Sequence, residues 1–328
     1  MPESNPPISP PIAHADVRRF AEDRVNLPSD TAKQRRKKIN ELREQLSKYL
    51  TEHPTCGLVK SYQSGSVAKG TALKTSSDVD MALYITHDGD HEVDDELLSW
   101  IAERLRKAYP QMSAEQIKPK TYSVGIEYRT AGIDVDVVPV FYDGDKDDYG
   151  LLVSQDDGST LRTCVPRHID FIRKRKAAHP SHFAQLVRLA KWWAAEQKAA
   201  DTAFRLKSFM VELICAHLVD RGHDVSDYRA GLEAFFNYVV ETRLQEQIGF
   251  TDYYSARDLP SDLADPIQMF DPVNAENNVA STYTDTHRQL IVNAAQDALD
   301  ALNEAHTAAT KGHAIEMWRI VLGRSFRG

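Results

Sequence analysis

Two rhythms of apolar residues divide this chain. In "SDTAKQRRKKINELREQLSKYL", Ile39, Leu42, Leu46 and Leu50 recur at helical spacing behind the capping residues Ser29, Asp30 and Thr31. That spacing predicts a long amphipathic helix. In "DVDMALYI", Val79, Met81, Leu83 and Ile85 alternate with Asp78, Asp80, Ala82 and Tyr84, the pattern of a strand with one buried face. "EVDDELLSWIAERLRKAYP" predicts a second helix ended by Pro110, and "YSVGIEYRTAGIDVDVVPVF" two strands joined as a hairpin near "TAG". Beyond these, "SHFAQLVRLAKWWAAEQKAA", "RLKSFMVELICAHLVDRG", "GLEAFFNYVVETRLQEQI" and "THRQLIVNAAQDALDALNEAHTAAT" all carry the helical period, with the loop "DPIQMFDPVNAENNVAS" before the last. The expected class is α/β (α+β). It has a Pro-rich, extended N-terminal arm over residues 1–28, a mixed-sheet lobe with its long helix over 29–160, and a helical lobe over 161–328.

Composition narrows the function without naming it. The chain has 328 residues, 42% hydrophobic and 27% charged, with a formal net charge of −8. That balance argues against a protein whose main work is coating nucleic acid. The basic runs "RRKK" (Arg35 to Lys38) and "RKRK" (Arg173 to Lys176) read as solvated helix faces. Three scattered cysteines, Cys56, Cys164 and Cys215, offer no zinc framework and fit a reducing compartment. With no apolar run long enough to span a bilayer and no secretory signal, a cytoplasmic protein without a membrane partner is expected.

The stretch "SGSVAKGT" looks built for phosphate, yet it is not a Walker loop, because Lys69 precedes Gly70 and Thr71 comes directly after. The two acidic strands downstream of it account for it better. Asp78 and Asp80 lie two apart on a strand, so their carboxylates share a face, and "GIDVDVVPV" does the same for Asp134 and Asp136. Carboxylates gathered this way repel unless a cation lies among them. An all-oxygen set of this kind suits two Mg²⁺ ions, with Mn²⁺ as an alternative. Gly65 and Ser66 would then hold a nucleotide's phosphates through backbone N–H groups and the Ser66 hydroxyl. Lys69 either touches phosphate or shapes the loop.

Together, "GSVAKGTALKTSSDVD" and "IDVDVVP" resemble the DNA polymerase β-type nucleotidyltransferase superfamily. Within it they are similar to the group of oligoadenylate synthetases, cyclic GMP-AMP synthase and CCA-adding enzymes, which includes the bacterial oligonucleotide cyclases (CD-NTases) of CBASS anti-phage systems. "LVRLAKWW", "LKSFMVELI" and "FDPVNAENNVA" carry the resemblance on to about residue 300. It implies a polymerase β-like lobe with a mixed sheet and a C-terminal helical lobe. It further implies Asp78, Asp80 and Asp136 as metal ligands and catalytic residues, Asp136 being preferred to Asp134 because it directly precedes the Val-Val-Pro run. Lys191 and Ser208 are implied as triphosphate contacts and Phe209 as a stacking partner for the base.

The implied activity joins NTPs, ATP among them, into a cyclic di- or trinucleotide messenger for a downstream effector. The alternatives are an RNA (tRNA-directed) nucleotidyltransferase and a nucleotide-binding regulator without turnover. The end of the chain, "GRSFRG", reads as a mobile tail whose Gly328 a conjugating partner could grip.

Overall fold

The computed structural model of the protein describes residues 11–52, 56–76, 78–87, 96–129, 132–261 and 263–328. Most of "MPESNPPISPP", the start of the helix expected from Glu92, and Thr130 and Ala131 of the expected hairpin turn lie outside these. Where the extended arm over residues 1–28 is expected, α1 (His14–Phe20) runs into a π-helical turn, Ala21–Val25. Burial is the reason. Val17 and Phe20 are core residues, and the Phe20 ring meets Trp192 edge-on at 5.8 Å and Phe326 at 5.3 Å.

The next elements are α2 (Ser29–Glu52), β1 (Cys56–Ser64), α3 (Gly65–Lys69), β2 (Asp78–His87) and α4 (Leu97–Ala108). Then come β3 (Ile117–Pro119), β4 (Val124–Tyr128), β5 (Ile133–Phe141), β6 (Gly150–Val153), β7 (Thr160–Thr163) and α5 (Val165–Ala178). The strands form one seven-stranded sheet in the order β1-β2-β5-β4-β3, with β6 joining β5 to β7. Only β2 and β5 among these pairs run parallel, which makes the sheet mixed, as expected.

Against one face of the sheet, α2 sets Ile39, Leu42 and Leu46, and α4 sets Leu98, Ile101 and Leu105. They meet Val79, Met81, Leu83 and Ile85 of β2 and Val135 and Val137 of β5. Each such aliphatic side chain contributes roughly 1.5–3 kcal/mol on burial. The expectation of one buried face on β2 falls short, because Ala82 and Tyr84 are also buried, in a smaller cluster with Val140 on the other face. Among the described residues, that second cluster sits toward the C-terminal ends of β2 and β5.

The helices beyond are α6 (Phe183–Ala200), α7 (Ser208–Asp220), α8 (Tyr228–Thr242), α9 (Asp285–Thr307) and α10 (Lys311–Leu322). Trp193 centres their core, with Phe204, Phe235 and Phe236 at 5.7, 6.0 and 4.9 Å. Between α8 and α9 the expected loop closes into a ribbon of β8 (Phe270–Asp271) and β9 (Asn274–Asn278). The C-terminal segment differs from the mobile tail expected: Phe326 is fully buried and stacks on Trp318 at 5.5 Å.

By contacts the chain divides into residues 27–173 and a unit of residues 1–26 with 174–328. The expected boundaries at 28 and 160 differ because α1 packs with the helices and residue 160 begins β7, which pairs with β6. No described helix is long and apolar enough to cross a membrane.

Candidate active site

The parallel register of β2 and β5 sets Asp78 opposite Asp134 and Asp80 opposite Asp136. Neighbouring strands lie about 4.8 Å apart, so these four carboxylates form a rectangle on one face of the sheet. This is the face that carries Tyr84 and Val140 farther along, with the acids toward the N-terminal ends of the two strands. The row through Asp80 continues to both sides. Ser64 of β1 pairs with Asp80, and Gly125 of β4 pairs with Asp136.

Asp80 bears the electrostatic load of this arrangement. Burial, then the charge of Asp136, pushes its carboxyl up to about 6, with Asp78 adding to the rise and Lys69 and Lys120 opposing it. Immediately after Ser64 the chain turns at Gly65, whose φ is +66°. A Cβ at Gly65 would collide with the Asp80 carboxylate, so only glycine lets the backbone approach this closely. Gly65 thus stands against the acids, as the sequence suggests. The stretch expected to hold phosphate takes the form of one helical turn, α3, closed where the Thr71 N–H donates to the Ser66 carbonyl at 2.9 Å. The backbone carbonyl of Ser66 is therefore committed to the turn.

Two cations here escape the sequence reading. Lys120 lies between β3 and β4, and its ammonium donates to Asp136 Oδ1 at 2.6 Å. Arg35 of α2, read as part of a solvated basic face, is only 6% exposed. Burial pushes its guanidinium down while Asp78 pulls it back up, and its Nε and Nη1 have no hydrogen-bond partner among the described residues. A signal for Arg35 was present. It stands four residues before Ile39 on the stripe that continues through Leu42 and Leu46. Lys120 had no such signal, since its closeness to Asp136 depends on how β3, β4 and β5 pair.

The remaining nucleotide-binding candidates belong to the helical unit. Lys191 of α6 does not reach solvent: its ammonium donates to Glu212 Oε1 of α7 at 2.6 Å, with side chains 4% and 3% exposed. Ser208 opens α7 and is exposed, and Phe209 beside it is half-buried. The "FDPVNAENNVA" segment is held by its own side chains. Asn278 Oδ1 accepts from the Met269 and Ala280 N–H groups, and Asp271 Oδ1 accepts from the Val273 N–H. It is tied to the start of α7 by Lys207, which donates to the Val279 carbonyl at 2.8 Å. The "RKRK" run also departs from a wholly solvated face. Arg175 is buried and donates to Asp252 at 2.9 Å and to Asp220.

Divalent metal fits the donor set of the sheet unit. The acids are all-oxygen ligands, and burial with the charge of Asp136 raises the Asp80 carboxyl, a rise that a cation beside it would offset. Among the described residues no three His, Cys, Asp or Glu side chains converge closely enough to cage an ion by themselves. Mg²⁺ sites that share substrate phosphates need only one or two carboxylates from the protein.

Comparison with known proteins supplies the family. A family model for the "Second Messenger Oligonucleotide or Dinucleotide Synthetase domain" matches residues 13–174. The chain is 48% identical over 317 residues to a "Cyclic AMP-AMP-AMP synthase" of Escherichia coli (strain MS 115-1), covering 97% of this chain and 98% of that one. It is similar to two solved structures of E. coli MS115-1 CdnC. The one with ATP has a TM-score of 0.89 at 48% identity and covers 97% of this chain and 100% of that one. The one in a complex with HORMA-deltaN has a TM-score of 0.88 at 47% identity and covers 97% and 99%. In fold alone it also resembles the Vibrio cholerae DncV cyclic AMP-GMP synthase, with a TM-score of 0.71 at 11% identity over 96% of this chain and 97% of that one. With its acidic rectangle on a polymerase β-like mixed sheet and its full-length likeness to the E. coli synthase, the chain belongs to the second-messenger oligonucleotide and dinucleotide synthetase (CD-NTase) family of nucleotidyltransferases.

Proposed function

We propose that this protein joins ATP into a cyclic trinucleotide of AMP, by attack of a ribose hydroxyl on an α-phosphorus and departure of pyrophosphate. The observation that carries the reading is the register that sets Asp80 beside Asp136, with Gly65 closed against the Asp80 carboxylate. The full-length likeness to a cyclic AMP-AMP-AMP synthase supports the choice of three AMP units over two.

In this reading Asp78, Asp80 and Asp136 hold two Mg²⁺ ions. When bound, these ions would lower the pKa of the attacking hydroxyl and neutralise charge on the leaving pyrophosphate. Asp78 and Asp80 anchor the triphosphate side of the site and Asp136 the side of the attacking hydroxyl. Gly65 lets the chain pass close to the phosphates, and the Ser66 hydroxyl hydrogen-bonds them. Ser208 and Phe209 serve as triphosphate and base contacts. Lys191 serves by linking α6 to Glu212 of α7, since its ammonium is already engaged there.

We place the reaction in anti-phage signalling, where the product would reach a separate effector, and we expect a HORMA protein to bind this chain as one binds the E. coli relative. No observation on the described residues favours conjugation at Gly328, where the neighbouring Phe326 is packed away.

The test is incubation with labelled ATP, GTP, CTP and UTP singly and together, with Mg²⁺ or Mn²⁺ and with or without a HORMA partner, followed by phosphatase. A phosphatase-resistant species with the mass of cyclic tri-AMP, formed from ATP alone, is expected. Label transferred to added tRNA in its place would overturn the reading.

A further inference from the structure

Lys120 occupies one oxygen of Asp136. Its ammonium bonds Asp136 Oδ1 at 2.6 Å, and its side chain is half-exposed. An ordinary surface ion pair in that setting contributes only about 0–1 kcal/mol and signifies little. Two features show that this contact is built. The first is Gly125, the cross-strand neighbour of Asp136. A Cβ there would come within 2.8 Å of Lys120 Cε, 3.3 Å of its Nζ and 3.4 Å of Asp136 Oδ1. The missing side chain is thus the channel along which the lysine crosses β4 to reach β5. The second is the short turn that carries Lys120. Its N–H donates to the Ser123 carbonyl at 2.7 Å, and the adjacent Thr121 carbonyl accepts from Gln155 N–H at 2.9 Å. The backbone that launches the side chain is pinned at both residues.

We infer that Lys120 is a resident cation of the site: it neutralises Asp136 while no metal is bound, and it must release Asp136 for a metal to bind there. This rests on the proposal that Asp136 is a metal ligand. A carboxylate–Mg²⁺ bond is about 2.1 Å long, and an ammonium bonded to the same carboxylate would lie close enough to the ion for strong repulsion. Because the described carboxylates do not cage an ion unaided, the free protein gives a metal few ligands with which to displace the lysine. Nucleotide phosphates supply the missing oxygens. Lys120 therefore makes metal entry at Asp136 depend on the nucleotide, acting as a positioning residue for that carboxylate.

Mn²⁺ binding followed by electron paramagnetic resonance tests this without turnover, in the absence of nucleotide and again with a non-hydrolysable ATP analogue. In the nucleotide-free protein Lys120→Met should bind Mn²⁺ about five- to tenfold more tightly than wild type, the scale of one removed close charge. Lys120→Arg, which keeps the cation, should stay within about twofold of wild type. Lys118→Met makes the same charge change on exposed β3, opposite Gly125 but two strands from Asp136, and should also stay within about twofold. With the analogue present, the advantage of Lys120→Met should shrink. Asp136→Asn separates the role of the lysine from that of the metal. If Asp136→Asn weakens Mn²⁺ binding but Lys120→Met binds like wild type, or if Lys118→Met tightens equally, the role of Lys120 is overturned. If Asp136→Asn leaves Mn²⁺ binding unchanged with the analogue present, the metal reading falls and the Lys120 inference falls with it.

Discussion

The two units handle concentrated charge in opposite ways. On β2 and β5, Asp78, Asp80, Asp134 and Asp136 share one face, and burial with like charge drives the Asp80 carboxyl up to about 6. In the helical unit Arg175 is also buried, but it lies between Asp220 and Asp252, and their hydrogen bonds raise its guanidinium despite burial. In the first, like charge adds to burial at the central acid; in the second, opposite charge offsets it. A buried charge with its partners is structural, and one partner lost costs several kcal/mol. Acids held together at a cost to stability mark a place where a cation from outside belongs.

The sharpest way to break this contrast is Asp80→Asn. Turnover should fall about a thousandfold or more, the scale of losing one preorganised electrostatic group. The same variant, free of metal at pH 8, should melt higher than wild type, because Asn carries no charge to desolvate or repel. Wild-type turnover, or a lower melting temperature with no metal present, would show that Asp80 is neither strained nor needed. Asp136→Asn should cost about a hundredfold or more in turnover and Asp134→Asn less than about tenfold. Both acids share the face, but only Asp136 is aligned with Asp80 and with Gly125. Equal losses would make the acidic rectangle, rather than part of it, the functional unit.

Arg175→Met sharpens the other side. It leaves Asp252 and Asp220 without their shared partner and should destabilise the helical unit by about 3–5 kcal/mol, read as a lower denaturation midpoint. Turnover per folded molecule should hold.

The smallest effect is a pH dependence. The folded Asp80 carboxyl is raised from 3.8 to about 6, so its contribution is fully present below the ordinary value and is lost as pH rises through about 6. The metal-free protein should therefore lose about 2 kcal/mol between pH 4 and 6.5 through this group, and Asp80→Asn should lack that loss. Identical pH profiles for the two proteins, measured by urea unfolding, would show that Asp80 is well solvated.

The acids of β2 and β5 were legible in the sequence because a two-residue period both predicts a strand and assigns each side chain to a face. α2 was legible for the same kind of reason. The readings that failed were of two kinds. Arg35 and Arg175 were judged by charge, which favours solvent, although each stands within a helical stripe that the core claims. α1 was hidden by neighbouring prolines, and β6 and β7, each four residues long, owe their existence to pairing rather than to pattern. Lys120 and Gly125 depend wholly on partners that no local window contains.

The parallel pairing of β2 with β5 also governs when the site can exist during folding. β4 and β5 are close in sequence and pair antiparallel, so they can zip early, with Asp136 already opposite Gly125. Asp80 joins only when β5 docks alongside β2, a contact between distant parts of the chain whose loop closure makes it slow. A chain still emerging from the ribosome, or one stalled before that docking, holds its acids on separate strands. Competence to make a messenger thus waits on that long-range pairing, and a molecule that has not made it lacks the assembled site.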